Sequence, residues 1–108
     1  MDNIKNDNYY KSIIINDIHK ILQYTNNISY EEFADNEQLI DAVLFRLVQI
    51  VENIKKLSES FKQSHKEVEW NEIIGFRNRI VHDYGRTDYS IVYEVVSNDL
   101  EVLMKSLG

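Results

Sequence analysis

The 108-residue chain contains no cysteine and no proline. Without cysteine there can be no disulfide and no thiolate metal site, a composition that suits a reducing compartment. Glycine occurs only at Gly75, Gly85 and Gly108, too few turn formers for an all-β domain. No stretch approaches the roughly 18 consecutive apolar residues of a membrane span. Residues Met1 to Asp7 lack the apolar run of a signal peptide. The expected location is therefore the cytoplasm, with no membrane association. An excess of positive charge is missing too: 12 Lys and Arg stand against 18 Asp and Glu, a formal net charge of −6. That argues against a protein that coats nucleic acid through a global positive field. Arg77, Arg79 and Arg86 nevertheless fall within ten residues of one another, so any nucleic acid should be engaged at one cleft. There is no glycine-rich phosphate loop and no Gly-x-Ser-x-Gly elbow. His19 and His65 have no partners at metal-ligand spacing and read as solvated surface histidines. No metal and no cofactor is expected.

What is present is helical patterning. Hydrophobic residues make up 44% and charged residues 28%, ordinary values for a globular protein. The length suits one domain over 1–108, with residues 1–7 read as a disordered tail. Tyr10, Ile13, Ile14, Ile18, Ile21 and Leu22 form an apolar stripe over a first helix from about Tyr9 to Tyr24. Asn26-Asn27 breaks it. Ser29-Tyr30-Glu31-Glu32 is a capping box, with Ile28 and Phe33 placed as a hydrophobic staple, so a short helix should run to about Asp35-Asn36. The longest helix is expected from Gln38 to Phe61, where Leu39, Ile40, Val43, Leu44, Leu47, Val48, Val51, Ile54, Leu57 and Phe61 keep the period. Its broad apolar face implies a bundle spine with surface left for a partner chain. Residues 62–69 read as a loop. Trp70 opens the next helix, which should end near Asp83, with Gly85 as terminator. Thr87 or Asp88 caps the last helix. The expected fold is all-α: an up-and-down four-helix bundle with one additional short helix, assembled as a dimer.

One segment concentrates polar chemistry: Arg77-Asn78-Arg79-Ile80-Val81-His82-Asp83-Tyr84. On a straight helix Asn78 and His82 lie about 40° apart, Arg77 and Tyr84 about 20° apart, and Arg77 and His82 about 140° apart. Arg77 and His82 therefore do not meet on an undistorted helix. Either the helix unwinds near its end or a second chain completes the site. Histidine titrates near neutrality and can move a proton to or from a ribose hydroxyl. Arginine stays charged and holds two phosphate oxygens in its planar fork. RNA carries its own nucleophile, the 2′-hydroxyl, so such a pair suits phosphodiester cleavage with neither a metal nor a protein nucleophile. Asn78 would orient His82 or bind phosphate, and Arg79 would support it. The bland alternative stays open: a helix-end histidine beside the last carbonyls, and an arginine paired with Glu72 or Asp83. Tyr84 is expected with its hydroxyl exposed beside the cleft on the side of Arg77, or else packing the helix end.

The sequence resembles the HepT-like branch of the HEPN superfamily, small toxins encoded beside minimal nucleotidyltransferases. Their motif is Arg, four residues, His, one residue, Tyr, met here by Arg77, His82 and Tyr84, with Asn78 matching as well. Trp70-Asn71-Glu72-Ile73-Ile74-Gly75-Phe76 precedes it in the family's manner. Tyr30-Glu31-Glu32-Phe33, Asp41-Ala42-Val43-Leu44-Phe45-Arg46 and Asp88-Tyr89-Ser90-Ile91-Val92-Tyr93 extend the likeness from Tyr9 to Leu103. Two departures concern loop rigidity and helix packing: no prolines precede Trp70, and Val51 and Asn53 replace the small residues that often flank Glu52.

The resemblance implies a helical bundle whose two copies bring both Arg-His sets to one cleft. It implies a metal-independent endoribonuclease, with tRNA a plausible target, acting as the toxin of a toxin–antitoxin pair. It also implies a cognate nucleotidyltransferase antitoxin that adds AMP to Tyr84, placing a phosphate against Arg77 and blocking the site. The alternative is a catalytically inactive helical subunit of a nucleotidyltransferase, which an expression test beside His82→Ala would separate from the toxin.

Overall fold

A computed structural model describes residues 6–108, and every regular element among them is helical. Helix α1 spans Asp7–Tyr24, α2 Tyr30–Ala34, α3 Glu37–Ile54, α4 Glu59–Gln63 and α5 Trp70–His82. A 3₁₀ turn follows at Tyr84–Arg86. The last rod is α6, Tyr89–Glu94, then a π-helical segment, Val95–Asp99, then α7, Leu100–Leu107.

Local chemistry sets most of these limits. Asn6 caps α1 by accepting from the Tyr9 N–H at 3.1 Å. Thr25 ends that helix and Asn27 turns through the left-handed region at φ 59°, a conformation asparagine tolerates. Ser29 and Glu32 form the expected capping box at the start of α2, and Ile28 and Phe33 both join the core. Of the two caps expected for the last rod, Asp88 takes the role, accepting from the Ser90 N–H at 2.9 Å.

Cross-helix ties fix the directions. Asp7, at the start of α1, binds Ser58 beyond the end of α3, while Asp17 and Tyr24 meet Arg46 within α3. Helices α1 and α3 are therefore antiparallel. Tyr93 of α6 donates to the carbonyl of Ile28 at 2.5 Å and packs against Tyr30 and Phe33. One core joins Ile14, Ile18 and Ile21 of α1, Phe33 of α2, the inward face of α3, and Val92, Val96, Leu103 and Leu107 of the last rod.

Three expectations are corrected. The tail expected over 1–7 lies partly outside the described residues, but Asn6 caps α1, and Asp7, its first residue, holds Ser58. The long helix stops at Ile54, not Phe61. Asp7 accepts from both the backbone N–H and the hydroxyl of Ser58, and Ser58 in turn caps the short helix α4. The apolar period continues through the break because Leu57, in the turn, is itself buried. Gly85 does not adopt a left-handed φ; α5 is followed by the 3₁₀ turn, closed by Arg86 N–H to the Asp83 carbonyl at 2.8 Å.

Candidate active site

Helix α5 presents the motif. Trp70, at its start, donates its indole N–H to the carbonyl of Lys62 at 3.2 Å, tying the helix to the preceding segment. His65 there stacks on Phe61 with centroids 4.3 Å apart, and its Nδ1 lies 2.9 Å from the Phe61 carbonyl, so it is a packed loop residue and not a solvated one. His19 is exposed. Only Ile80 of the 13 residues in α5 is buried, while Ile73 and Phe76 pack at the edge of the core.

The helix stays regular to its end: the N–H of Asp83 reaches the carbonyl of Arg79 at 2.9 Å. Arg77 and His82 therefore remain about 140° apart and about 7 Å apart along the axis. Unwinding does not bring them together. Arg77 faces α3, where its Nε lies 2.9 Å from Glu52 Oε2. The N–H is not aligned for a hydrogen bond, although both atoms are buried, so this contact is an ion pair held by charge. A further donor of Arg77 reaches the side-chain oxygen of Asn78 at 3.1 Å. The sequence-near carboxylates, Glu72 and Asp83, are not its partners. Asn78 thus binds Arg77, and no hydrogen bond joins it to His82.

His82 is exposed, and its side chain has no hydrogen bond or ion pair among the described residues. Arg79 lies about 60° from it on the wheel, with its guanidinium 5.8 Å from the Phe76 ring centroid. Arg86 is exposed in the 3₁₀ turn. Between α5, the second half of α3 and the last rod is a groove of about 700 Å³ lined by Val51, Phe76, Arg77, Arg79, Val95 and Leu103 among others.

Tyr84 is half exposed, and its hydroxyl donates to the carboxylate of Asp41 on α3. That hydrogen bond is the first cause that pushes the phenol up to about 12, followed by partial burial and the charges of Asp41, Tyr89 and Glu37. Glu52 and Asp41, the partners of Arg77 and Tyr84, are eleven residues apart, about 16 Å along one face of α3. This corrects the expected arrangement. Within one chain the Tyr84 hydroxyl is not beside Arg77, and a phosphate on it would not reach that arginine unless the side chain moved. Phe45 lies on the same face of α3 between the two carboxylates and is 60% exposed.

Sequence reasoning gave roles to the residues of α5 and missed their acceptors on α3. The available signal was the 11-residue interval from Asp41 to Glu52, three turns of helix, which places both on one face.

A family profile described as ribonuclease HepT-like matches residues 14–107. The "Putative RNase TTE0752" of Caldanaerobacter subterraneus subsp. tengcongensis is 29% identical, over 91% of this chain and 88% of that protein. The "Putative RNase MJ1380" of Methanocaldococcus jannaschii is 28% identical over 87% of this chain and 86% of its own length. The "Probable ribonuclease HepT" of Thermococcus cleftensis is 29% identical over the same two shares, 87% and 86%. No solved structure gives a significant match.

Proposed function

Because the chain belongs to the HepT-like ribonuclease family, we propose that it is an endoribonuclease in which Arg77 holds the scissile phosphate and His82 moves the proton of the ribose 2′-hydroxyl. The observation that carries this reading is the state of the two side chains. Arg77 is anchored against α3 by Glu52, while His82 stands unpartnered at the open end of α5. An anchored cation suits charge that develops on phosphate oxygens, because its orientation is fixed before the reaction. An unencumbered imidazole at a helix end suits acid–base transfer. Attack by the 2′-oxygen on phosphorus breaks the bond to the 5′-oxygen, which leaves with the electron pair and takes up a proton from water, and a 2′,3′-cyclic phosphate remains, so no metal and no protein nucleophile is required. Asn78 and Arg79 support the phosphate site, Asn78 through its contact with Arg77.

Since Arg77 and His82 point away from each other on a regular helix, the working site is proposed to form between two copies of the chain. The exposed apolar side chains Phe45, Val81, Ile91 and Val102 support an interface between protomers. A two-fold pairing repeats each contact, and it would bring the two His82 residues to one cleft. Light scattering at micromolar concentration should give a dimer, and a monomer would remove this part of the account.

The role proposed for this activity is that of a toxin acting in the cytoplasm on RNA, with tRNA as the target to test. A cognate nucleotidyltransferase antitoxin would silence it by adding AMP to Tyr84. The modified residue neighbours His82, so the nucleotide would obstruct the histidine side of the cleft. Expression of the chain alone should arrest growth, and His82→Ala should not. Co-expression with the transferase should restore growth and add AMP mass at Tyr84. Growth arrest by His82→Ala equal to that of the native chain would overturn the catalytic assignment and leave the binding-subunit alternative.

A further inference from the structure

We propose that Asp41 is the proton acceptor for nucleotidyl transfer to Tyr84, so that the chain supplies part of the chemistry of its own silencing. The inference depends on the reading of Tyr84 as the modified residue. Its substrate is a nucleoside triphosphate carried by the transferase.

The tyrosine hydroxyls whose hydrogen bonds the structure defines differ in what they face. Tyr93 donates to the backbone carbonyl of Ile28, which cannot hold a proton. Tyr24 accepts from the guanidinium of Arg46, which has no proton to take up. Tyr84 donates to a carboxylate, that of Asp41. The pair is accessible: Asp41 is exposed and Tyr84 is 49% exposed. It is also tertiary, since the partners are 43 residues apart, so the proton is aligned before any transferase arrives.

A phenol must lose its proton as its oxygen bonds to phosphorus, and a base already within hydrogen-bond reach meets the geometric requirement. Protein kinases use an aspartate on a substrate hydroxyl in the same way. The hydrogen bond to Asp41 pushes the phenol further up, to about 12, so the proton stays on Tyr84 until phosphorus is attacked. Transfer to Asp41 becomes favourable only as the new bond withdraws electrons from the phenolic oxygen. In that step the Tyr84 Oη forms a bond to the α-phosphorus of the triphosphate. The bond from that phosphorus to the bridging oxygen breaks, and pyrophosphate leaves with the electron pair. The phenolic proton passes to Asp41 and then to water. The product has lost its only donor to Asp41 and has gained a negative phosphodiester near Asp41 and Glu37. Like charges repel, so modification also frees the residue from α3.

The test uses the full chain, the cognate nucleotidyltransferase and ATP with magnesium, with AMP incorporation followed by intact mass and peptide mapping. Asp41→Asn preserves size and still accepts the Tyr84 hydrogen bond but is no base. It should lower kcat for incorporation by about a hundredfold or more, with KM for the acceptor protein changed less than about threefold. Asp41→Glu should recover part of the rate. A residue that merely holds Tyr84 would be replaced successfully by asparagine, so modification of Asp41→Asn at the native rate overturns the proposal while leaving Tyr84 as the acceptor. If the native chain takes no AMP on Tyr84, or Tyr84→Phe still takes it at the native level, the reading of Tyr84 fails and the proposal fails with it. Site-resolved NMR of the Tyr84 ring against pH gives a readout without the transferase. Replacing Asp41 by asparagine should move the Tyr84 ionisation from about 12 towards the ordinary value of 10, and an unmoved titration also counts against the pairing.

Discussion

Helices α1 and α3 are held mainly by buried apolar contact, and helix α5 by a thinner apolar edge together with polar ties. The first two bury Ile14, Ile18, Ile21, Ile40, Val43, Leu44, Leu47, Ile50 and Ile54 against each other and the last rod, and Asp17 with Arg46 adds an ion pair at 2.6 Å. The third fully buries one side chain, Ile80, rests Trp70, Ile73 and Phe76 on the edge of the core, and is tied by the Trp70 indole at its start, Arg77 to Glu52 in its middle and Tyr84 to Asp41 just beyond its end. Buried apolar volume therefore concentrates in one half of the molecule and the proposed catalytic residues in the other. Segments with few buried apolar contacts open most readily, and the helix proposed to meet RNA and a modifying enzyme is such a segment.

The largest difference should appear on deleting core volume. Phe33 is fully buried, and Phe33→Ala should cost about 3–5 kcal/mol in urea unfolding. Val81→Ala on α5 should stay within about 0.5 kcal/mol; comparable losses at the two sites would erase the distinction. A second effect is local. Backbone amides of α5 should exchange with deuterium at least about tenfold faster than those of α3, and equal protection would mean that the polar ties hold as firmly as the core.

Glu52→Gln removes the charge that orients Arg77. RNA cleavage should fall about tenfold through lost positioning. Unfolding free energy should change by less than about 1 kcal/mol, since the carboxylate is partly exposed and screened. A smaller effect follows from Tyr84. Its phenol is raised from 10 to about 12 in the fold, so the folded chain binds the proton more tightly than the unfolded one. That contribution is fully present below pH 10 and is lost as pH rises towards 12. Half exposure keeps it small. Unfolding followed between pH 9 and 12 should show a shallower decline in Asp41→Asn than in the native chain. The smallest effect expected is that of Gly85→Ala. A Cβ there meets nothing within 4 Å and the φ is not left-handed, so the change should stay within about 0.5 kcal/mol.

Much of the fold was legible because its signals are local. The stripe Ile14, Ile18, Ile21 marks α1, and the Ser29–Glu32 box starts α2. Trp70 opens α5 and Asp88 caps the last rod. Tertiary choices were not legible. The stripe Ile54, Leu57, Phe61 keeps helical spacing across a break that Asp7 helps create from 51 residues away. The motif on α5 can be read directly, but its acceptors cannot. Arg77 has Glu72 and Asp83 nearby in sequence and pairs with Glu52. Tyr84 sits near Arg77 on a helical wheel, yet the 3₁₀ turn after His82 takes its hydroxyl to Asp41. Periodicity places residues on a face and does not say which neighbouring helix that face meets.

The central claim is that Arg77 and His82 cut RNA, and purified protein tests it most directly. Total tRNA incubated with the native chain, Arg77→Ala and His82→Ala, each with and without EDTA, should show cleavage by the native chain alone. That cleavage should be indifferent to EDTA and should leave 2′,3′-cyclic phosphate ends. Each substitution should lower the rate by about a hundredfold or more while melting curves stay unchanged. Cleavage by folded His82→Ala at the native rate, or its abolition by EDTA, would contradict the account.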